Sequence, residues 1–225
     1  MKKVLLSLIA VFTFGFINAQ DGYSSSYKPK VGTVTTEVGL SGGLNNANFT
    51  VNNLKFRYFL KETIGLRFGL GIGRESDENV NNSNPNNSIT TTEKNSDFQI
   101  NLGIEKHFRG SDRLSTFAAA DLVISLANQS VEVIQQNGSF NNTKGGGNAG
   151  SAFGIRLLTG ADYYIAKKVY LGVEAGFSIL TGSGADLVTE SRGTTGPTTT
   201  VTVPGGSSSD ITTQAFGGVR IGFQF

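Results

Sequence analysis

Gly217-Gly218-Val219-Arg220-Ile221-Gly222-Phe223-Gln224-Phe225 closes the chain, and two different faces are written into it. In an extended strand successive side chains point to opposite sides. Gly217, Val219, Ile221, Phe223 and Phe225 therefore share one face, which ends in two aromatic rings. Gly218, Arg220, Gly222 and Gln224 share the other, which is small or polar, and Gln214 falls in the same polar phase. The last strand of a soluble sandwich fits this pattern. So does a strand of a transmembrane barrel, where lipid-facing and lumen-facing residues alternate. The decision rests on whether the rest of the chain repeats it.

It does, seven more times. The clearest repeat runs from residue 64: Ile64, Leu66, Phe68, Leu70 and Ile72 alternate with Gly65, Arg67, Gly69, Gly71 and Gly73. Around residues 33–44, Val34, Thr36, Val38 and Leu40 alternate with Thr35, Glu37, Gly39 and Ser41. Around 49–60, Leu54, Phe56, Tyr58 and Leu60 form the apolar side and Lys55 and Arg57 the polar one. The remaining apolar faces carry Phe98 to Ile104, Ala118 to Leu126, Phe153 to Tyr163 and Val169 to Ile179. The matching polar faces hold Glu105, Asp121, Arg156, Asp162 and Glu174. The fold class expected is all-β, an eight-stranded antiparallel up-and-down transmembrane β-barrel over residues 33–225.

The connections strengthen that expectation because they sort by length. Tight turns at residues 61–63, 109–113 and 166–168 alternate with long polar loops at 75–95, 128–149 and 181–210. Short periplasmic turns and long extracellular loops are the pattern of outer-membrane barrels. A soluble barrel has no reason to sort its connections, and it would bury its apolar face rather than its charges. Thirty glycines, four prolines and no tryptophan suit many strands and turns. Only 38% of residues are hydrophobic, which a barrel tolerates because half of each strand faces the interior.

The other end of the chain reads as a targeting segment. Lys2 and Lys3 precede an apolar run from residue 4 to 17, and Asn18-Ala19-Gln20 follows. The run is shorter than the ~20 residues a spanning helix needs, so residues 1–19 are expected to be a signal peptide cleaved after Ala19. Residues 20–32 then form a short flexible periplasmic leader. Loss of Lys2 and Lys3 brings the chain from 19 basic and 17 acidic residues to 17 of each, so there is no electrostatic case for nucleic acid. The absence of cysteine excludes a disulfide framework and thiolate chemistry.

The polar faces assemble a candidate site. Glu37, Lys55, Arg57, Arg67, Glu105, Asp121, Arg156, Asp162, Glu174 and Arg220 all fall on the inward phase, five acids against five bases. An eight-stranded barrel has an interior just wide enough for side chains, and buried charges are costly unless paired. The expectation is an ion-pair network that fills the lumen. Tyr58, Phe108, Tyr163, Phe223 and Phe225 gather near the short-turn end as an aromatic girdle, with Tyr170 there on the inward phase. Motifs for catalysis or cofactors are weak. The run Gly145-Gly146-Gly147-Asn148-Ala149-Gly150 matches a phosphate loop by letter but precedes a strand rather than a helix. Asp77 and Glu78 read as a solvated loop pair. His107, the one histidine, sits inward at a turn end and reads as an interior residue rather than a base.

On the signal ending Asn18-Ala19-Gln20, the strand Gly65-Leu66-Arg67-Phe68-Gly69-Leu70-Gly71 and the terminal Gly222-Phe223-Gln224-Phe225, the chain resembles the OmpA-type eight-stranded outer-membrane barrels. More narrowly, it resembles the small outer-membrane β-barrel ("porin family") proteins of Bacteroidetes. The resemblance implies that Phe225, with Phe223 and Ile221, is the signal read by the barrel-insertion machinery. No counterpart of the family's peptidoglycan-binding domain is expected from these residues, so the resemblance is not taken to imply cell-wall tethering. Expected partners are outer-membrane lipid, the insertion machinery, and a surface ligand or outer-membrane protein. The expected role is non-enzymatic and without cofactors: a filled barrel displaying long extracellular loops for structural, adhesive or partner-binding ends. The alternative is a narrow porin-like channel for small solutes.

Overall fold

The computed structural model describes residues 25–43, 46–83, 88–146, 149–206 and 212–225. The expected signal peptide and cleavage point lie outside them, as do residues 20–24 of the expected leader. Eleven strands follow in order: β1 (Val34–Gly43), β2 (Asn46–Lys61), β3 (Ile64–Asn81), β4 (Ile89–Arg109), β5 (Leu114–Gln135), β6 (Phe140–Lys144), β7 (Gly150–Ala166), β8 (Val169–Gly184), β9 (Leu187–Arg192), β10 (Thr199–Val203) and β11 (Thr212–Gln224).

Eight of them close on themselves. β1 to β5 pair in sequence, β5 pairs with β7, β7 with β8, β8 with β11, and β11 returns to β1. Every pairing is antiparallel, and the seam runs from Thr35 opposite Gln224 to Gly42 opposite Gly217. A closed ring leaves no row of unpaired backbone groups, the condition for crossing a bilayer with strands. The faces are inverted relative to a soluble barrel. Ile72 is 65% and Leu122 60% exposed on the outside, while Arg57 and Glu105 are each 1% exposed within.

The stagger follows from the register. Glu37 faces Lys55, and the row continues through Gly69, Asn101, Val123, Gly154 and Leu180 to Thr212. Across the seam, however, Glu37 faces Gly222, ten residues further along β11. A ten-residue stagger at ~3.3 Å per residue, set against eight strands ~4.8 Å apart, tilts the strands by about 40°. At that tilt about ten residues cross a ~25 Å apolar band. The five outward apolar residues from Ile64 to Ile72 span a segment of that length.

Two expectations change. The loops at 75–95, 128–149 and 181–210 are largely strand. The β3–β4 ladder runs on to Asn81 opposite Ile89, and β5 continues to Gln135. β6, β9 and β10 add to it in the order β5-β6-β9-β10. The result is a six-stranded sheet standing beyond the barrel. Apolar alternation cannot announce these ladders because neither face there meets lipid. Their β-forming residues, such as Ile89-Thr90-Thr91-Thr92 and Val131, Val133 and Ile134, still extend the hairpins.

The leader also differs from a free tail over the part described. Residues 25–33 cross the short-turn mouth. Gly32 N–H donates to the Phe59 carbonyl (2.8 Å) and the Ser25 hydroxyl to the Asp112 carbonyl (2.6 Å). Arg113 donates to the Tyr27 hydroxyl (2.8 Å) with its guanidinium 4.3 Å from that ring, and Gln224 Nε2 donates to the Tyr27 carbonyl (2.7 Å).

Candidate functional site: the charged lumen

Each strand of the ring sends at least one ionisable side chain inward. Arg57 on β2 meets three carboxylates from three strands: Glu37 on β1, Glu105 on β4 (3.1 Å) and Asp162 on β7 (2.8 Å). Arg67 on β3 meets Glu105 (2.9 Å), Asp121 on β5 (3.0 Å) and Glu174 on β8 (3.4 Å). Arg220 on β11 meets Glu37 (3.1 Å), Asp162 and Glu174, the last two at 2.5 Å. Lys55 Nζ reaches Glu174 Oε1 at 2.7 Å. Arg156 donates to Ser178 Oγ (3.1 Å) and lies opposite Asp121 in the β5–β7 register. The ten residues singled out by strand phase thus all point into the barrel. Glu37, Arg57, Arg67, Glu105, Asp121, Asp162, Glu174, Arg220 and Lys55 are joined by ion pairs into one web across it.

Glycine makes room for the web. A Cβ at Gly172 would fall on the Arg220 side chain, and one at Gly103 on the Asp121 carboxylate. The missing side chains are the space that the long stems occupy.

Toward the short turns the charges give way to rings, of which strand phase places Tyr170 inward but does not single out Phe59, Phe117 or Tyr164. Phe59, Phe117, Tyr164 and Tyr170 are each fully buried. The arginines lie over them: Arg57 5.0 Å from the Tyr170 centroid, Arg220 4.7 Å and Arg67 5.7 Å from that of Phe117. The Tyr170 hydroxyl donates to Glu37 (2.7 Å), so this residue of the expected girdle belongs to the interior. Tyr58, Tyr163, Phe223 and Phe225 face outward at this end. The signal for the buried rings was present, since Phe59 and Phe117 hold the same phase as Arg57 and Ser115. An outward-looking search for apolar faces passes over an aromatic on the polar side.

His107 stands between the Phe59 and Phe117 rings, with centroids 5.3 and 5.4 Å away. Its Nε2 lies 2.7 Å from Glu105 Oε1 and its Nδ1 2.9 Å from Ser115 Oγ. With Nε2–H donating to Glu105, Nδ1 is left to accept the Ser115 hydroxyl. This is the connectivity of nucleophile, base and orienting acid, and sequence spacing alone did not suggest Ser115. The surroundings do not favour catalysis. Ser115 and His107 are each 3% exposed, and Glu105 is already shared by Arg57 and Arg67. The flanking backbone lies within the β4–β5 ladder, which occupies the N–H groups an oxyanion would need. The glycine run from Gly145 to Gly150 joins β6 to β7, with Gly145 and Gly146 at φ of +76° and +64°. Strands precede and follow this stretch, which lacks the strand–helix setting of a phosphate loop.

Residues 41–178 match the family described as "Putative OmpA-OmpF-like porin family". No curated protein matches the chain. Among solved structures, the outer-membrane protein OprG from Pseudomonas aeruginosa is 8% identical with a TM-score of 0.47, over 90% of this chain and 99% of that one. CarO from Acinetobacter baumannii is 13% identical with a TM-score of 0.39, over 87% and 98%. Ail, the attachment invasion locus protein of Yersinia pestis, is 10% identical with a TM-score of 0.38, over 86% and 95%. Likeness at this level says nothing of function. The family match takes in more than half of the chain, and the eight-stranded ring is closed, apolar outside and charged within. The chain therefore belongs to the Putative OmpA-OmpF-like porin family, as an outer-membrane β-barrel protein.

Proposed function

We propose that this chain is a non-conducting, non-enzymatic pillar of the outer membrane that displays its six-stranded sheet at the cell surface. In this reading residues 1–19 are removed on export, the N-terminus and short turns face the periplasm, and Phe225 marks the strand read by the insertion machinery. One observation carries the reading: Arg57, Arg67 and Arg220 each tie strands together through three carboxylates, all buried except the half-buried Glu174. Opening a water path between them means breaking several buried pairs at once, each costly to leave half made. Aromatic rings and the residue 25–33 segment close the barrel again below that level. A sheet held by ladder hydrogen bonds offers a fixed surface for a ligand or partner, the usual use of elements carried on a rigid scaffold.

Planar-bilayer recording of the purified protein tests it. The expected result is no steady conductance above the bare membrane. A reproducible unitary current would replace this reading with the narrow channel.

A further inference from the structure

Inside the barrel nearly every cation described has a carboxylate beside it. On the outside there is a sector where three do not. The outward apolar rows of β3, β4 and β5 end together at Ile72, Phe98 and Leu126. The next outward row is Arg74, Ser96 and Asn128, and the one after it is Ser76, Lys94, Ser130 and Lys144. Arg74, Lys94 and Lys144 are exposed, and among the described residues none of them lies within 4 Å of a carboxylate. All three line one cleft of about 380 Å³ with Ser96, Asn128, Ser130 and the backbone of Gly145. No carboxylate lines it.

The nearest acids on that face form the following row, where Glu78, Glu132 and Glu190 stand further from the apolar belt. Acids at 75, 77, 93 and 97 fall on the opposite phase, which continues the lumen side. Charge on this face is therefore layered: apolar belt, cations, then carboxylates. Another sector lacks the cations. On β7 and β8 the outward positions just past the belt are Ser151 and Ser183, bonded to each other at 3.0 Å.

We propose that Arg74, Lys94 and Lys144 form a binding site for the phosphate of a membrane lipid headgroup. The inference rests on the barrel spanning a membrane. Lipid phosphates lie just beyond the hydrocarbon, the level at which this cationic layer sits. A lone lysine there would merely extend into water. Three cations converging from β3, β4 and β6 on one cleft, with hydroxyl and amide donors between them, instead provide what a phosphate needs. Arginine supplies a planar fork of donors, and lysines supply point charges around it. Basic residues at a membrane surface attract anionic lipid additively. The lipid rather than free phosphate is the occupant because the cleft opens directly above lipid-facing Ile72, Phe98 and Leu126, where acyl chains would pack.

Native mass spectrometry of the full chain in neutral detergent tests this, with equal amounts of dioleoyl phosphatidic acid and dioleoyl phosphatidylcholine. Phosphatidic acid should be retained over phosphatidylcholine by about tenfold or more, and Arg74→Gln/Lys94→Gln/Lys144→Gln should abolish the preference. Lys106→Gln, an outward lysine at the other end of β4, should retain it. Folding of each variant is read separately from the mobility difference between unheated and heated samples on a gel. The charge-reversing single variant Lys94→Glu serves as a second probe and should lower the preference by itself. Equal retention by the wild type and a folded triple variant overturns the site. Inorganic phosphate that competes as well as phosphatidic acid at equal concentration overturns the lipid assignment. A chain that fails to insert into vesicles would fail the membrane reading itself, which this comparison does not confuse with a missing site.

Discussion

Replacing Arg57 by Met removes the guanidinium and keeps an unbranched stem of similar reach. The side chain is lost to Glu37, Glu105 and Asp162 at once, and to Thr35 Oγ1, 3.2 Å from Nε. Each carboxylate keeps one other cation: Arg220 for Glu37 and Asp162, Arg67 for Glu105. Deleting one partner of a buried pair costs about 3–5 kcal/mol. Because no carboxylate is stripped bare, the lower end applies, about 3 kcal/mol. With a slope of about 2 kcal/mol per molar urea, the unfolding midpoint in vesicles falls by about 1.5 M. The chain has no tryptophan, so folded fraction is read from gel mobility of unheated samples rather than from indole fluorescence. The balancing variant sharpens the test. Arg57→Met/Asp162→Asn removes one charge of each sign and should recover about 1–3 kcal/mol relative to the sum of the single changes. The reasoning fails if Arg57→Met moves stability by no more than the ~0.5 kcal/mol of an ordinary surface substitution. It also fails if the double variant costs the full sum.

Other outcomes follow from the same geometry. A Cβ at Gly222 would fall on the Tyr170 ring, so Gly222→Ala should cost about 1–3 kcal/mol in the urea assay. Gly39→Ala meets nothing within 4 Å and should stay within ~0.5 kcal/mol of the parent. Residues 186–205 can be excised, because Gly184 N–H already donates to the Gly206 carbonyl at 3.3 Å and the cut ends lie together. The shortened chain should keep its heat-dependent gel mobility while losing β9 and β10; an unfolded product would show that the outer sheet is needed to close the ring. The wild type and Ser115→Ala should hydrolyse ester substrates no faster than buffer, and turnover that depends on Ser115 would reopen the reading of His107.

What could be read in advance, and what could not, divides at the edge of the apolar belt. Where one face meets lipid, alternation reports strand and phase together, and ten inward residues follow from it. Beyond Ile72, Phe98 and Leu126 both faces meet water, alternation stops, and β6, β9 and β10 pass for loop. The leader hides for a different reason. Ser25, Tyr27 and Gly32 hold the mouth through hydrogen bonds to backbone and to Arg113, and such contacts leave no periodic trace.

Partnership inside the lumen is set by something that no local pattern carries. Arg57 and Asp162 are 105 residues apart and Glu37 and Tyr170 are 133 apart, yet each pair is in hydrogen-bond contact. Strand phase says only that such residues share an interior. The ten-residue stagger decides which meet. It slides β11 along β1, so that Glu37, which starts a row ending at Thr212, has Gly222 across the seam instead. Gly222 leaves room for Tyr170 to reach Glu37, and Arg220, two residues earlier, presents its guanidinium to the same carboxylate. A register slip of one residue would turn Arg220 to lipid and Ile221 to the interior. The ion-pair web therefore also constrains the register at which the barrel closes: a slip by any odd number of residues would leave interior charge facing hydrocarbon.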